Sequence, residues 1–352
     1  MKLFTPFLLR NTELKNRIAV SPMCEYSARG GHPTPWHMVH LGSRAVGGAA
    51  LVFTEATAVS ELGRISAGDT GIYLDSHVEA WRPIVEFIHG QGAVSGMQLA
   101  HAGRKASTGI PWLGGKPIAP DDGGWVPVAP SPIPFDAGYT APKELTVAEI
   151  EQVVTDFAAG ARRAMRAGFQ VAEIHSAHGY LLHEFLSPLS NRRNDEFGGA
   201  FENRIRLLLL VAKAVRGVWP SEQPVFVRIS ATDWVEGGWD LRQSVELAGR
   251  LKEQGVDLID TSSGGLVPSV KIPFGPGYQV GFAATIRKEA GIATGAVGMI
   301  SDPVQAETIL ATGQADLVLL AREMLRDPYW PRRAAQELGA KVKPPVQYER
   351  AW

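Results

Sequence analysis

Eight short apolar segments alternate with amphipathic stretches of helical length, and this alternation constrains the fold more than any other feature of the chain. Apolar strands that alternate with helices indicate a parallel sheet covered on both faces. Eight such units favour an α/β fold of the closed (β/α)8 TIM-barrel type, with a doubly wound open sheet as the alternative. The predicted strands span residues 17–23, 50–57, 94–100, 170–175, 225–230, 258–262, 292–297 and 317–321. The predicted helices include residues 147–167, 204–218, 241–254, 282–290, 303–312 and 329–338.

Two long segments interrupt the alternation, one after the third predicted strand and one after the fourth. They span residues 109–142, rich in Pro and Gly, and residues 179–199. Both exceed an ordinary βα loop, so we expect long functional loops on the C-terminal face of the barrel. The residues before position 17 are predicted to form an N-terminal cap at the other end. No break divides the units, so we expect a single domain over residues 1–352.

The composition excludes several classes of protein. Of the 352 residues, 45% are hydrophobic and 20% are charged, which is typical of a globular chain. The net charge of −1 offers no basic face for a nucleic-acid partner. A single cysteine excludes a disulfide framework, a thiolate zinc site and an iron–sulfur cluster. Without a signal-peptide pattern or an apolar run long enough to span a membrane, we expect a soluble, cytoplasmic enzyme.

No dinucleotide-binding fingerprint or Walker-type phosphate loop is present. The nearest glycine cluster, at Gly275 and Gly277, has Val280 where a third glycine belongs, and no predicted strand leads into it. Near Gly109 and Gly114, a glycine also occupies the position that the phosphate loop requires for lysine. A nicotinamide coenzyme would therefore visit this chain without a dedicated domain.

Two histidines and a tyrosine, His175, His178 and Tyr180, follow the fourth predicted strand. Residues three apart in a strand face opposite sides, so the imidazoles converge only if the strand ends near Ser176 and the chain turns, which Gly179 permits. The pattern by itself leaves three interpretations open. They are an active site at a strand end, a metal site without a third ligand at familiar spacing, and two unrelated histidines bonded to backbone carbonyls.

Other polar groups lie at the ends of predicted strands. Arg228 interrupts an apolar run, and a buried guanidinium needs an anionic or polar partner. Gly298 and Arg322 follow the seventh and eighth strands, where barrels often bind a phosphate group. The alternatives are an ordinary turn at Gly298 and a surface ion pair at Arg322. We therefore expect an anionic tail near Gly298 and Arg322, with its aromatic head over the strand ends.

Five motifs, read together, resemble the old yellow enzyme family. They are Ser21-Pro22-Met23-Cys24 and the segments 98–105, 175–180, 185–191 and 195–204. The resemblance covers essentially the whole chain. Cys24 with Tyr26, and the C-terminal residues 347–352, resemble its thermophilic-like bacterial subclass. This resemblance implies an FMN-containing (β/α)8 barrel that reduces carbon–carbon double bonds activated by a carbonyl or nitro group.

The resemblance also implies a role for individual residues. Tyr180 would be the proton donor, and His175 and His178 would bind the substrate carbonyl oxygen. Tyr26 would contribute a hydroxyl to the substrate, and Arg350 would reach a neighbouring subunit's site, which requires a homodimer or homotetramer. The FMN-binding residues would be Ser21, Pro22, Met23, Cys24, Ala56, Gln98, Arg228, Gly298, Ala321 and Arg322. Ala321 departs from the family's usual glycine, although a methyl group there need not disturb a backbone contact.

The sequence thus predicts an NADPH-dependent FMN oxidoreductase, an ene-reductase whose small-molecule substrates are enone-type compounds. Other flavin-based readings are another FMN barrel oxidoreductase, such as a hydroxy-acid oxidase, and a non-catalytic redox sensor acting through Cys24. A flavin-free phosphate-binding barrel, either a lyase or a metal hydrolase using His175 and His178, is the remaining alternative.

Overall fold

Eight parallel strands close into a barrel in the computed structural model, which describes residues 1–352. The chain has twelve strands, eight in the barrel and four in two small separate pairs, namely β1 (Phe7–Leu9), β2 (Thr12–Leu14), β3 (Ile18–Val20), β4 (Leu51–Ala58), β5 (Val94–Ala100), β6 (Val128–Ala129), β7 (Lys143–Glu144), β8 (Val171–Ser176), β9 (Val225–Ser230), β10 (Leu258–Ser262), β11 (Ala293–Ala296) and β12 (Leu317–Leu320). Around the barrel the order is β3-β4-β5-β8-β9-β10-β11-β12, and β12 pairs with β3. The closed barrel is confirmed and the open sheet is excluded.

Helices cover the outside of the barrel between successive strands. They are α1 (Pro35–Val46), α2 (Asp75–Gly90), α3 (Val147–Ala167), α4 (Leu181–Leu186), α5 (Phe201–Arg204), α6 (Arg206–Val218), α7 (Leu241–Glu253), α8 (Val280–Ala290), α9 (Pro303–Ala311), α10 (Arg322–Arg326) and α11 (Trp330–Leu338). Helix α3 begins with a capping box in which Thr146 Oγ1 accepts the Glu149 N–H and Glu149 Oε2 accepts the Thr146 N–H. No helix is both long and apolar enough to cross a membrane.

Three predicted element boundaries differ from the structure by two residues or more, at the end of β3 and at the starts of α6 and α8 (Val280 instead of residue 282), and the others differ by at most one residue. Strand β3 ends at Val20 instead of residue 23, since Pro22 has no N–H to donate to a ladder. The helix predicted from residue 204 begins at Arg206, because the preceding turn forms the separate helix α5. The long loops also contain short elements of their own, namely α4 and the parallel pair β6–β7. These differences all lie where the chain enters or leaves the C-terminal face.

The N-terminal cap is a two-stranded hairpin of β1 and β2. Leu9 and Leu14 of this hairpin pack with apolar residues inside the barrel, including Phe53, Phe226 and Leu319. The hairpin therefore seals the N-terminal end of the barrel, as predicted, and leaves polar side chains to the opposite end.

Candidate active site

The predicted turn after β8 brings two imidazoles and a phenol together. The strand ends at Ser176, and the chain then reverses through His178 and Gly179, whose φ angles are +58° and +73°. A Cβ atom at Gly179 would collide with the carbonyl oxygen of Gly265, so only glycine fits this close approach. The ring centroids of His175 and His178 lie 5.2 Å apart, and those of His175 and Tyr180 lie 5.1 Å apart.

Both imidazoles are neutral hydrogen-bonding groups. His175 Nδ1 accepts the Ala177 N–H at 3.3 Å, which assigns the ring proton to Nε2. His178 Nε2 lies 2.7 Å from Ser262 Oγ, while its Nδ1 has no hydrogen-bond partner within the chain. Burial and, second, the charge of Arg228 hold the pKa of each imidazole well below 6.5. Each ring can therefore present one N–H near pH 7.

Tyr180 shares one wall of the site with Cys24 and Tyr26. All three side chains pack against the small apolar cluster of Ile65, Ala102 and Ala106, together with Trp125. Burial raises the pKa values of Tyr180 and Cys24 well above their usual values, so the phenol and the thiol keep their protons. Trp125 belongs to the long loop 109–142, and Trp112 of the same loop contacts Tyr26 edge-on at 6.1 Å. This loop therefore forms part of the site, as expected.

Lys105 is a residue of the site to which the sequence assigned no role, although it closes the motif 98–105. Its Nζ donates to the carbonyl oxygens of His178 at 2.9 Å and Gly265 at 3.1 Å, so it joins the two touching turns. The ammonium also lies 5.2 Å from the centroid of the Tyr180 ring. Burial lowers its pKa to about 8.

A buried polar layer forms the floor beneath these side chains. Gln98 Nε2 donates to Glu173 Oε1 at 2.8 Å, and Arg228 Nε lies 3.0 Å from Asp260 Oδ2. Burial raises the pKa of both carboxyl groups, to about 8 for Glu173. Gln98 and Arg228 were predicted as site residues, whereas Glu173 and Asp260 were missed. The feature that could have identified them is the strand register, which pairs Gln98 with Glu173 and Arg228 with Asp260.

A separate cavity of about 280 Å³ lies beyond β11 and β12. Gly298, Ala321 and Arg322 line it, and Gly298 has a φ angle of +118° that favours glycine. Arg322 is exposed, and its guanidinium enters none of the hydrogen bonds or ion pairs of the chain. At Ala321 the φ angle is −103° and the ψ angle is −98°, so the position does not require the positive φ that favours glycine. An unpaired cation in a small cavity suits a phosphate group.

The remaining predicted FMN residues lie between this cavity and the polar floor. Strand β3 stands between β12 and β4 in the barrel, so Ser21, Pro22, Met23 and Cys24 follow its end beside Ala56 of β4. Ser21 Oγ is buried without a hydrogen-bond partner, and Ala56 is the register partner of Gln98. A cation at one end, an orphaned hydroxyl in the middle and an amide at the other end suit the phosphate, ribityl chain and ring of FMN.

Arg350 is the one predicted site residue that lies apart from the others. It belongs to the exposed C-terminal turn Val346–Ala351. Trp352 stacks on Tyr329 with ring centroids 6.4 Å apart, and the turn borders a cavity that Lys15 lines near the N-terminal end of the barrel. Within one chain, Arg350 is therefore at the end opposite His175.

Comparison with known proteins identifies the family. Residues 2–341 match the NADH:flavin oxidoreductase / NADH oxidase family. The chain belongs to this family. Its relatives include the NADPH dehydrogenase of Geobacillus sp. (strain WCH70), which is 53% identical over 352 residues, covering 99% of this chain and 98% of the relative. This flavin oxidoreductase is accordingly an NADPH-dependent enzyme with FMN as cofactor and NADPH as co-substrate.

Solved structures agree with the family assignment. Morphinone reductase in complex with tetrahydroNAD superimposes with a TM-score of 0.80 at 29% identity, covering 99% of this oxidoreductase and 93% of that chain. The old yellow enzyme homologue from Zymomonas mobilis also has a TM-score of 0.80 at 29% identity, over 99% and 96% of the two chains. The resemblance to old yellow enzyme is confirmed.

Proposed function

We propose that this NADPH dehydrogenase is an ene-reductase that reduces the carbon–carbon double bond of α,β-unsaturated carbonyl or nitro compounds. The observation that carries the proposal is the turn after β8, where two neutral imidazoles and a protonated phenol converge. Imidazole N–H groups suit a carbonyl or nitro oxygen, and a phenol suits the donation of a proton to carbon.

The barrel would be a single domain, residues 1–352. The proposed FMN site extends along the ends of its strands. Arg322 and the backbone near Gly298 and Ala321 would hold the phosphate, and the hydroxyl of Ser21 would face the ribityl chain. Pro22, Met23, Cys24, Ala56, Gln98 and Arg228 would surround the ring. When bound, FMN supplies the hydride, which NADPH provides first.

His175 and His178 would bind the oxygen of the activating group. Negative charge grows on that oxygen as hydride reaches the β-carbon, so these donors stabilise the transition state more than the ground state. Because burial and Arg228 keep both imidazoles neutral, each retains a lone-pair nitrogen for its own anchor. His175 uses it on the Ala177 N–H, which fixes the orientation of the ring.

Tyr180 would give its phenolic proton to the α-carbon. The raised pKa keeps this proton on the phenol at neutral pH. Lys105 lies above the ring and bonds to the turn that carries it, so we assign Lys105 the role of holding Tyr180 in place. Tyr26 would add a hydroxyl to the substrate pocket.

Arg350 would act on a neighbouring subunit, since its own barrel keeps it away from His175. This part of the proposal requires a homodimer or homotetramer. Truncation after Gln347 tests it through the KM for an enone in steady-state reduction and through the native mass of the oligomer. Unchanged KM for the enone after truncation would remove Arg350 from the site.

An anaerobic titration tests the proposed reaction. Purified enzyme is reduced with NADPH, and cyclohexenone or a nitroalkene is then added while the flavin absorbance is followed. We expect the yellow oxidised spectrum to return in proportion to the enone, with one saturated product per flavin. If oxygen restores the oxidised spectrum and enones do not, the alternative of a hydroxy-acid oxidase is favoured. A flavin that NADPH fails to reduce would favour the Cys24 redox sensor.

A further inference from the structure

Two carboxyl groups and one guanidinium lie together in the buried floor of the barrel. Glu173 and Asp260 are fully buried, and Arg228 is 6% exposed. The guanidinium of Arg228 lies 3.0 Å from the carboxyl group of Asp260. Glu173 accepts a hydrogen bond only from the neutral amide of Gln98, at 2.8 Å. Glu173 Oε2 and both carboxyl oxygens of Asp260 lack a hydrogen-bond partner, so the 3.0 Å ion pair with Arg228 is what distinguishes Asp260 from Glu173. A floor with both carboxyls ionised would carry an uncompensated buried negative charge.

The other groups around Glu173 do not supply a second cation. Its register partner on β9 is Phe226, and the apolar end of the barrel lies below. Along its own strand the next inward-facing residue is His175, which is held neutral. On β4, Glu55 pairs with His37 of α1 instead. The acid therefore meets Gln98 from β5, Arg228 from β9 and Asp260 from β10.

We propose that Glu173 is a neutral, protonated acid at neutral pH and that this proton sets the charge which the barrel floor presents to FMN. The inference rests on the proposed position of FMN above Gln98 and Arg228. Asp260 keeps its charge because the guanidinium is beside it, and Glu173 gives up its charge because burial outweighs a single amide contact. Consistently, the pKa of Glu173 is raised to about 8, chiefly by burial and then by Asp260.

The proton has a redox consequence. With Glu173 neutral, Arg228 and Asp260 balance each other, and the negative charge that reduction adds meets no other anion in the floor. Above pH 8 an ionised Glu173 would oppose that charge. Reduction would then draw one proton from solvent onto Glu173 in addition to the protons that the flavin itself takes up.

The test is the midpoint potential of the holoenzyme between pH 6 and 10, measured by equilibration with reference dyes. In the wild-type protein we expect the slope to steepen near pH 8 by one proton per two electrons. Glu173→Gln mimics the protonated acid, so its plot stays straight and lies above the wild-type plot at pH 9.5. A bend that persists unchanged in Glu173→Gln would overturn the proposal.

Two further variants assign the bend if other groups cause it. Glu184 and Lys105 also have pKa values moved to about 8, both by burial. Loss of the bend in Glu184→Gln or Lys105→Met, together with its retention in Glu173→Gln, would give the proton to those residues instead. Enone reoxidation of the wild-type enzyme is scored separately, so failure of the proposed reaction would not be confused with failure of this inference.

Infrared spectroscopy covers the case in which Glu173→Gln does not bind FMN. Reduced-minus-oxidised difference spectra of wild-type enzyme labelled with ¹³C-glutamate are recorded at pH 7 and pH 9.5. We expect a perturbed protonated-carboxyl band at pH 7 that shifts with the label and is replaced by carboxylate bands in the oxidised state at pH 9.5. Carboxylate bands alone at pH 7 would overturn the proposal.

Discussion

The two ends of the barrel interior differ although the same strands build both. At the N-terminal end, Phe53, Phe226 and Leu319 pack with other apolar side chains under the β1–β2 hairpin. At the C-terminal end, Arg228 follows Phe226 two positions later on the same face of β9, and Glu173 and His175 occupy the adjacent β8. The first end gains stability from burial of apolar surface, whereas the second must satisfy buried charges.

This comparison indicates a division of labour along each strand. Apolar residues in the first half hold the barrel closed, so charged and orphaned groups can persist in the second half. If the division holds, variants at the two ends have separable effects on chemistry and on unfolding.

Tyr180→Phe should have the largest effect at the polar end. We expect reoxidation by an enone to slow by roughly 10²–10⁴-fold, the range typical of a lost general acid. Reduction of the flavin by NADPH needs no proton from Tyr180, so it should stay nearly unchanged. Stopped-flow absorbance measures the two half-reactions separately. Equal loss in both would remove Tyr180 from the proton-donor role.

Phe226→Ala tests the apolar end. Removing a fully buried aromatic side chain leaves a cavity, so the free energy of unfolding should fall by about 3–5 kcal/mol. Urea unfolding of holoenzyme and apoenzyme measures this loss. The shift that a phenolic ligand causes in the flavin spectrum should survive below the unfolding transition. Loss of that shift with little change in stability would break the division of labour.

The sequence predicted the apolar half well, and physical reasons explain why. The bounds of β5, β9 and β10 match the structure to the residue, because each begins at an apolar residue within two positions of a Gly, Pro or Asp that favours a turn. The turn at His178 and Gly179 was also predicted, since strand alternation forbids the two imidazoles from sharing a face in any other way.

The polar floor was only half predicted. Arg228 interrupts an apolar run, which indicated that a partner was needed, but the partner Asp260 comes from the next strand. Its identity depends on the strand register, and register is a long-range property that local pattern does not determine. Glu173 also interrupts an apolar run, and a buried carboxyl group needs a partner for the same reason as a buried guanidinium.

His175→Ala tests the polar end of the barrel and should have an effect of intermediate size. A phenolate ligand bound by the imidazoles of His175 and His178, which we call the clamp, would lose one charge-assisted hydrogen bond, worth about 1.5–3 kcal/mol. We therefore expect its dissociation constant to rise by roughly 10–150-fold, measured from the ligand-induced change in flavin absorbance. His89→Ala is the matched control, because His89 is a half-buried histidine of α2 that bonds to Ser95 outside the clamp. Equal weakening in both variants would contradict a specific role for His175.

The smallest predicted effect is the fall in the free energy of unfolding as the pH drops below 6.5. Burial holds the pKa of His175 well below 6.5, so the unfolded chain takes up a proton that the folded site refuses. Stability from the neutral imidazole is complete above pH 6.5 and declines as the pH falls below that value, by about 1.4 kcal/mol per pH unit for each such group. His175→Asn removes one titrating group and should flatten this decline between pH 6 and pH 5 in urea unfolding. An unchanged slope would mean that His175 is protonated in the folded enzyme, and a charged imidazole would then contradict the neutral clamp.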